Sequence, residues 1–255
     1  MTAGPPATPG AGTALRGLVV DWGGVLTPGL DDAMTRWARA DGVAYDHFRD
    51  VLRLWVGHGT DHPDHTDQAD HPDHRDHQDR RPPSPVHRLE LGESTPDEFE
   101  RELARELAER GSTVPAAGLL ARMLDGLQVL DRSMIGLVRR ARDEGLRTAL
   151  LSNSWGEHYP SELEDGLFDA VVISGRVGMR KPEERIFRHV CDLLGLEPAE
   201  CVFVDDLARN VHAAAAAGMV GVLHRSYPET LFELETLFGR SLSAAGSAGC
   251  TDPKA

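Results

Sequence analysis

Leu18-Val19-Val20-Asp21-Trp22-Gly23-Gly24-Val25-Leu26-Thr27 decides the fold of this chain. A short apolar run that ends in an acid and two glycines reads as a buried strand emerging into a tight loop, where backbone can approach a ligand. Asp21 then stands at the strand's carboxyl end. In an open parallel α/β sheet that edge is where ligands bind, so an acid there points to chemistry.

Downstream of Asp131 the pattern expected of such a sheet repeats. A helix carrying Met134, Ile135, Leu137 and Val138 ends at Gly145, and an apolar strand over 146–151 runs into Ser152-Asn153-Ser154. A strand over 170–173 leads to Arg180-Lys181-Pro182, with Pro182 expected in the first turn of a helix bearing Ile186, Phe187, Val190 and Leu194. A strand over 201–204 ends in Asp205-Asp206, and an alanine-rich helix and a strand over 220–223 close the series. Alternation of this kind implies an α/β fold, a Rossmann-like parallel five-stranded sheet with helices on both faces.

Between the first strand and Asp131 lies a helical insert, residues 28–130. Asp31 or Asp32 is expected to cap its first helix, which carries Met34 and Trp37, and a second helix spans 45–56 with Phe48, Leu52 and Trp55 on one face. Thr95-Pro96-Asp97-Glu98 reads as a capping box, with Phe99, Leu103 and Leu107 repeating behind it. A fourth helix is expected near 116–127. Each is too short to be stable alone, so the four need one another. The expected organisation is a core formed by 17–27 and 131–239, the insert at 28–130, and tails at 1–16 and 240–255.

The insert is interrupted by a low-complexity tract, 57–85. Within it DHPDHTDQA (61–69) is followed by the near-repeat DHPDHRDHQ (70–78). Lacking large apolar residues, this repeat cannot build a core and reads as an acidic surface loop. Its histidines, among them His62, His65, His71, His74 and His77, are of a type that binds Zn, Ni or Cu.

Composition narrows the function classes. The 255 residues carry a formal charge of -14, which opposes nucleic-acid binding because phosphate contacts need a basic surface. No run approaches the ~20 apolar residues of a spanning helix, and no signal peptide is evident, so a cytoplasmic protein without membrane partners is expected. Cys191, Cys201 and Cys250 show no CxxC spacing and are expected to be reduced thiols.

Four strand ends or following loops carry polar residues: Asp21, Ser152 with Asn153, Lys181, and Asp205 with Asp206. Taken singly, each has an ordinary explanation, as a loop lysine, a helix cap or a turn. A parallel sheet brings all four to one edge. A carboxylate can attack a phosphoryl group, and the repulsion between two anions then calls for cations: Mg2+ held by Asp21, a loop carbonyl and the Asp205/Asp206 pair, with Lys181 opposite. Ser152 and Asn153 are placed to donate hydrogen bonds to phosphoryl oxygens.

The segments DWGGVLT, LLSNS, GMRKPE and VFVDDLARN, in this order, resemble the four motifs of the haloacid dehalogenase-like hydrolase superfamily, and the insert resembles the small helical cap of its subfamily IA. The likeness covers roughly 17–240 without the His/Asp tract. It extends to bacterial cap-bearing phosphatases that include a sugar 1-phosphate phosphatase, with a GMRKPE-type third motif.

This resemblance implies that Asp21 is the nucleophile and that Gly23 offers its carbonyl to Mg2+. It makes Asp206 the direct metal ligand with Asp205 close by. Ser152 and Asn153 contact phosphate, Lys181 pairs with Asp21 and the phosphoryl group, and Asn210 stands behind the metal ligands. The implied activity is hydrolysis of a small phosphate ester, such as a sugar phosphate, under a cap that excludes water.

One position departs from the pattern. Phosphatases of the superfamily usually carry a second Asp two residues after the nucleophile as general acid and base, and Gly23 stands there, as it does in the sugar 1-phosphate phosphatase. His158 and Tyr159 are the nearby groups able to carry a proton, though both read more simply as surface-loop residues, and Trp22 and Trp155 as packing. Two further readings follow from the gap: a 2-haloacid dehalogenase, which needs no second Asp, or an impaired member that binds a phosphorylated ligand or a protein.

Overall fold

The computed structural model describes residues 14–56, 84–155, 159 and 166–244. The His/Asp tract, the greater part of both expected tails, His158 and Cys250 lie outside the described residues.

The chain enters through β1 (Gly17–Val20) and passes directly into helices α1 (Leu30–Asp41), α2 (Tyr45–Val56), α3 (Pro85–Glu90), α4 (Pro96–Glu109) and α5 (Leu119–Leu124). It returns through α6 (Arg132–Asp143), β2 (Arg147–Ser152), β3 (Ala170–Ile173), α7 (Ser174–Val177) and α8 (Glu184–Leu194). β4 (Cys201–Asp205), α9 (Ala208–Ala216), β5 (Val220–Leu223) and α10 (Tyr227–Phe238) complete it. The five strands are all parallel, in the order β3-β2-β1-β4-β5.

Alternation along the strands separates two apolar layers. Leu18, Val20, Leu150, Val202, Val204 and Val222 face one side, where α6 and α10 pack. Val19, Ala149, Leu151, Val172 and Phe203 face the other, against α8 and α9. With both faces covered, the strands can be apolar throughout, which is why they read as continuous runs. Cys191 and Cys201 are buried free thiols in the second layer.

The insert has an apolar cluster of its own, built from Met34 and Trp37 of α1, Phe48 and Val51 of α2, Phe99, Leu103 and Leu107 of α4, and Leu119, Leu120 and Met123 of α5. The capping box at Thr95 forms as expected: Thr95 Oγ1 accepts from the Glu98 N–H, and Glu98 Oε2 accepts from the Thr95 N–H.

Several local expectations change. Gly29, not Asp31 or Asp32, occupies the N-cap of α1; both aspartates lie in the first turn, where their charge suits the helix dipole. The low-complexity tract gives way to helix at residue 85: Ser84 caps α3 and Pro85 starts it, a stop-and-start signal hidden beside the repeats. The insert therefore holds five α-helices among the described residues, not four, and α5 is shortened to one and a half turns by a 3₁₀ continuation over Asp125–Gln128. Pro182 sits outside α8, whose N-cap is Glu183. Residues 240–244 stay on the core, where Leu242 is wholly buried and Arg140 Nε donates to its carbonyl.

Candidate active site

Sheet register builds the site. Val20 is aligned with Val204 on one side and Leu150 on the other, so Asp21 and Asp205 each emerge one residue beyond the aligned pair. The Asp21 N–H donates to the Val204 carbonyl at 2.9 Å, which carries the alignment to the last residue of the sheet. After β1 the chain winds through β2 to β3 on one side, then crosses back to β4 on the other. A crevice opens at the carboxyl ends where the winding reverses.

Lys181 enters that crevice from the loop after α7, and its side chain is 1 % exposed. Nζ lies 2.7 Å from Asp21 Oδ1 and 2.7 Å from Asp205 Oδ2. Burial opposes its charge, but Asp205 and Asp21 overcome this and hold its pKa above the ordinary lysine value. Asn153 fixes where Lys181 stands: its Oδ1 accepts from the Lys181 N–H at 2.8 Å and its Nδ2 donates to the Lys181 carbonyl at 3.0 Å.

Asp205 is fully engaged. Besides Lys181 it accepts from Asn210 Nδ2 at 3.1 and 3.0 Å and from the Leu207 N–H at 2.8 Å. Asp206 faces the pocket instead. Burial and the adjacent Asp205 push its pKa up to about 6. Gly24 makes room for it: a Cβ there would stand 2.0 Å from Asp206 Oδ2, and the residue sits at φ +75°, where side chains are strained. Gly23 is the opposite case, for a Cβ there would meet nothing within 4 Å.

One oxygen of Asp21 is held in place. Oδ1 accepts from Lys181 and from the Trp22 N–H at 2.6 Å. Burial, and then repulsion from Asp205 and Asp206, push the Asp21 pKa upward against the pull of Lys181. Carboxylate oxygens of Asp21, Asp205 and Asp206 lie within 4.8 Å of one another. Three carboxylates and one ammonium leave a formal excess of two negative charges. An all-oxygen donor set with that excess fits a hard divalent cation such as Mg2+. Asp21 and Asp206 are the acids available to it, since Asp205 is committed to Lys181, Asn210 and Leu207.

The sequence-derived residues thus come together, and two of them also make contacts within the protein. Asn153 grips the Lys181 backbone, which engages one of its two amide protons. Ser152 Oγ accepts from the Tyr159 hydroxyl at 2.9 Å. Tyr159 is no surface residue: it lines the pocket, its ring meets Trp22 edge-on at 5.6 Å, and burial raises its pKa. Trp155 also lines the pocket, while its ring packs on Phe99 of the insert.

Glu90 of α3 escaped the sequence reading because the helix that carries it merges with the low-complexity tract. It binds the insert to the core. Its Oε2 accepts from Arg180 Nε at 2.6 Å, its Oε1 from Trp155 Nε1 at 3.1 Å, and its carbonyl from Ser174 Oγ at 2.5 Å. The Arg-Lys pair at 180–181 was the available signal: Lys181 turns to the floor, Arg180 to the insert. Between floor and insert lies a cavity of about 240 Å³.

A doubly wound parallel sheet with a lysine-braced acidic cluster at its switch point defines a class of α/β hydrolases. The family model of the haloacid dehalogenase-like hydrolases matches residues 15–218, and the chain belongs to that family. Acyl-CoA dehydrogenase family member 10 of Mus musculus is 29% identical over 240 residues, 91% of this chain and 20% of that protein. This chain therefore spans about a fifth of that relative's length. Sesquiterpene phosphatase astK of Aspergillus oryzae is 31% identical over 156 residues, 60% of this chain and 78% of that protein. Among solved structures, a family enzyme from Bacteroides thetaiotaomicron in complex with magnesium and inorganic phosphate superposes with a TM-score of 0.57 at 21% identity, over 83% of this chain and 95% of that one. That likeness concerns the fold. One of these relatives is a phosphatase, and no helix among the described residues of this chain is long and apolar enough to cross a membrane.

Proposed function

We propose that the protein is a Mg2+-dependent phosphatase that hydrolyses a small phosphate monoester through an aspartyl-phosphate on Asp21. The observation that carries this reading is the asymmetry of the Asp21 carboxylate. With Oδ1 held by Lys181 and the Trp22 N–H, Oδ2 is the oxygen left to attack. Attack forms an Oδ2–P bond as the P–O bond to the alcohol breaks, and water then cleaves the acyl-phosphate to release phosphate and restore Asp21.

Asp21 and Asp206, with the Gly23 carbonyl, would hold Mg2+, which would supply the positive charge that lets one anion approach another. Lys181 favours the ionised form of Asp21 against burial and the neighbouring acids, and faces the phosphoryl oxygens. Asp205, Asn210 and Asn153 hold Lys181 in register, so its ammonium needs no reorganisation as charge develops. Ser152 donates to a phosphoryl oxygen through the hydroxyl proton it does not share with Tyr159. With glycine at position 23, the departing alkoxide takes its proton from water. The phosphatase relative supports hydrolysis of a phosphate ester, and the adjacent acids favour a metal-assisted route over dehalogenation.

Phosphate release from p-nitrophenyl phosphate, with Mg2+ and with EDTA, tests the reading. Wild type turns over only with Mg2+, and Asp21→Asn lowers kcat by about 10⁴-fold or more, the scale seen when a covalent nucleophile is removed. Activity that survives either EDTA or Asp21→Asn overturns it.

A further inference from the structure

The cavity has two unlike walls. Its floor is the charged cluster. Its roof is apolar: Leu30, Leu52, Val86, Leu124 and Leu127 come from the insert, and Leu207 from the loop after β4 stands at the rim. Leu30 and Leu207 are 36% and 41% exposed, so two large apolar side chains face water at the mouth.

Polar side chains reach the cavity from the insert at three positions, His87, Glu90 and Gln128. Glu90 is committed at both oxygens to Trp155 and Arg180, and Gln128 has an interaction of its own. His87 alone among the three is left to meet a ligand hydroxyl. Burial and then Arg180 lower its pKa, which favours the neutral imidazole. A sugar would lose water from several hydroxyls against leucines that return no hydrogen bond, and each such loss opposes binding. A hydrocarbon has no such penalty and shields the rim leucines.

We infer that the site takes phosphate monoesters of apolar alcohols, with the phosphate on the Asp21–Lys181 floor and the hydrocarbon body against the leucine roof. This rests on the phosphatase reading and replaces the sugar phosphate expected from the sequence.

The test is a series of n-alkyl monophosphates from ethyl to decyl, set against glucose 1-phosphate and glucose 6-phosphate, all with Mg2+. Specificity, kcat/KM, should rise roughly 4-fold per added methylene until the cavity fills, the factor equivalent to burying one CH₂. Leu30→Ser, at a site exposed enough to tolerate it, should lower the decyl-to-ethyl ratio about tenfold. In parallel, binding of ethyl- and decylphosphonate, which cannot be hydrolysed in this way, is read from the fluorescence of Trp22 and Trp155 at the pocket.

Sugar phosphates cleaved better than decyl phosphate, or no dependence on chain length, overturn the inference and leave the phosphatase reading standing. Chain-length-dependent phosphonate binding with no ester turned over supports the apolar ligand class and overturns hydrolysis. Neither binding nor turnover overturns both.

Discussion

Floor and roof of the pocket are built on opposite principles. On the floor, a buried lysine bridges two acids, and the second acid is also held by an amide and a backbone N–H. The roof is a layer of leucines and valine on short helices. Fixed charges can stabilise a transition state because they need not reorganise. Apolar side chains at a mouth set which body fits, and a methylene more or less changes specificity only modestly. The floor is suited to reaction and the roof to selection, and substitutions should separate the two.

The largest effect on stability is expected at Lys181. Lys181→Met removes the counter-charge of two buried carboxylates, and breaking a buried pair from one side costs about 3–5 kcal/mol. Urea unfolding should show that loss, with activity falling as well. A loss below about 1 kcal/mol would mean that the floor relaxes, and the contrast with the roof would fail.

Asp206 tests the same floor by pH. Its native pKa of about 6 lies above the ordinary carboxylate value near 4, so the folded state holds the proton more tightly than the unfolded chain does. The resulting contribution favours folding below about pH 4 and disappears as pH rises through 6. Over two pKa units it amounts to at most about 3 kcal/mol. In EDTA, Asp206→Asn should therefore gain stability relative to wild type between pH 4 and pH 7. Mg2+ should reverse the order at pH 7.5, raising the Tm of wild type and not of the variant, and lose its effect below about pH 6. Equal Mg2+ responses in the two proteins would remove Asp206 from the metal site.

The seam between floor and roof is sharpened at Gly23. Its Cβ position is open and its backbone is outside the left-handed region, so an L residue fits. Gly23→Asp places a carboxyl group where a proton donor is missing. General acid catalysis contributes roughly 10²–10⁴; the lower figure is the expected gain for ethyl phosphate, whose leaving group is poor, with little gain for p-nitrophenyl phosphate. Equal change for both esters would show that protonation of the leaving group does not limit the reaction.

The unequal legibility of these regions follows from the same contrast. Asp21, Lys181, Asp205 and Asp206 could be placed in advance because a parallel sheet brings its strand ends together whatever the loops do. Asn210, in the fourth motif, donates to Asp205. The roof depends on which face of each short helix turns inward, and that is settled by packing rather than local pattern. Glu90 illustrates the difficulty: its helix is six residues long and begins where a polar repeat ends. Tyr159 illustrates another, since only its contacts with Ser152 and Trp22 distinguish it from a surface tyrosine. For Asn153, sequence spacing cannot reveal that its amide faces the backbone of a residue 28 positions away.

The smallest effect is expected elsewhere in the insert, at a distance from any ligand. Thr95→Ala removes one half of the α4 capping box, a change of about 1 kcal/mol. In a domain of this size that corresponds to roughly 2–4 °C in Tm. Phe99 lies in the next turn, where its ring meets Trp55 at 5.5 Å and Trp155 at 6.0 Å, so loosening at Thr95 has a path to the pocket wall. If the Glu90 contacts to Arg180 and Trp155 hold that wall independently of the first turn of α4, Tm falls while kcat and the decyl-to-ethyl ratio remain within about twofold. A change in the ratio without a change in kcat would instead place α4 among the elements that shape selection, extending the roof one helix further than the lining residues indicate. A fall in kcat would be harder to accommodate, since it would mean that the charged floor takes its geometry from the insert rather than from the sheet.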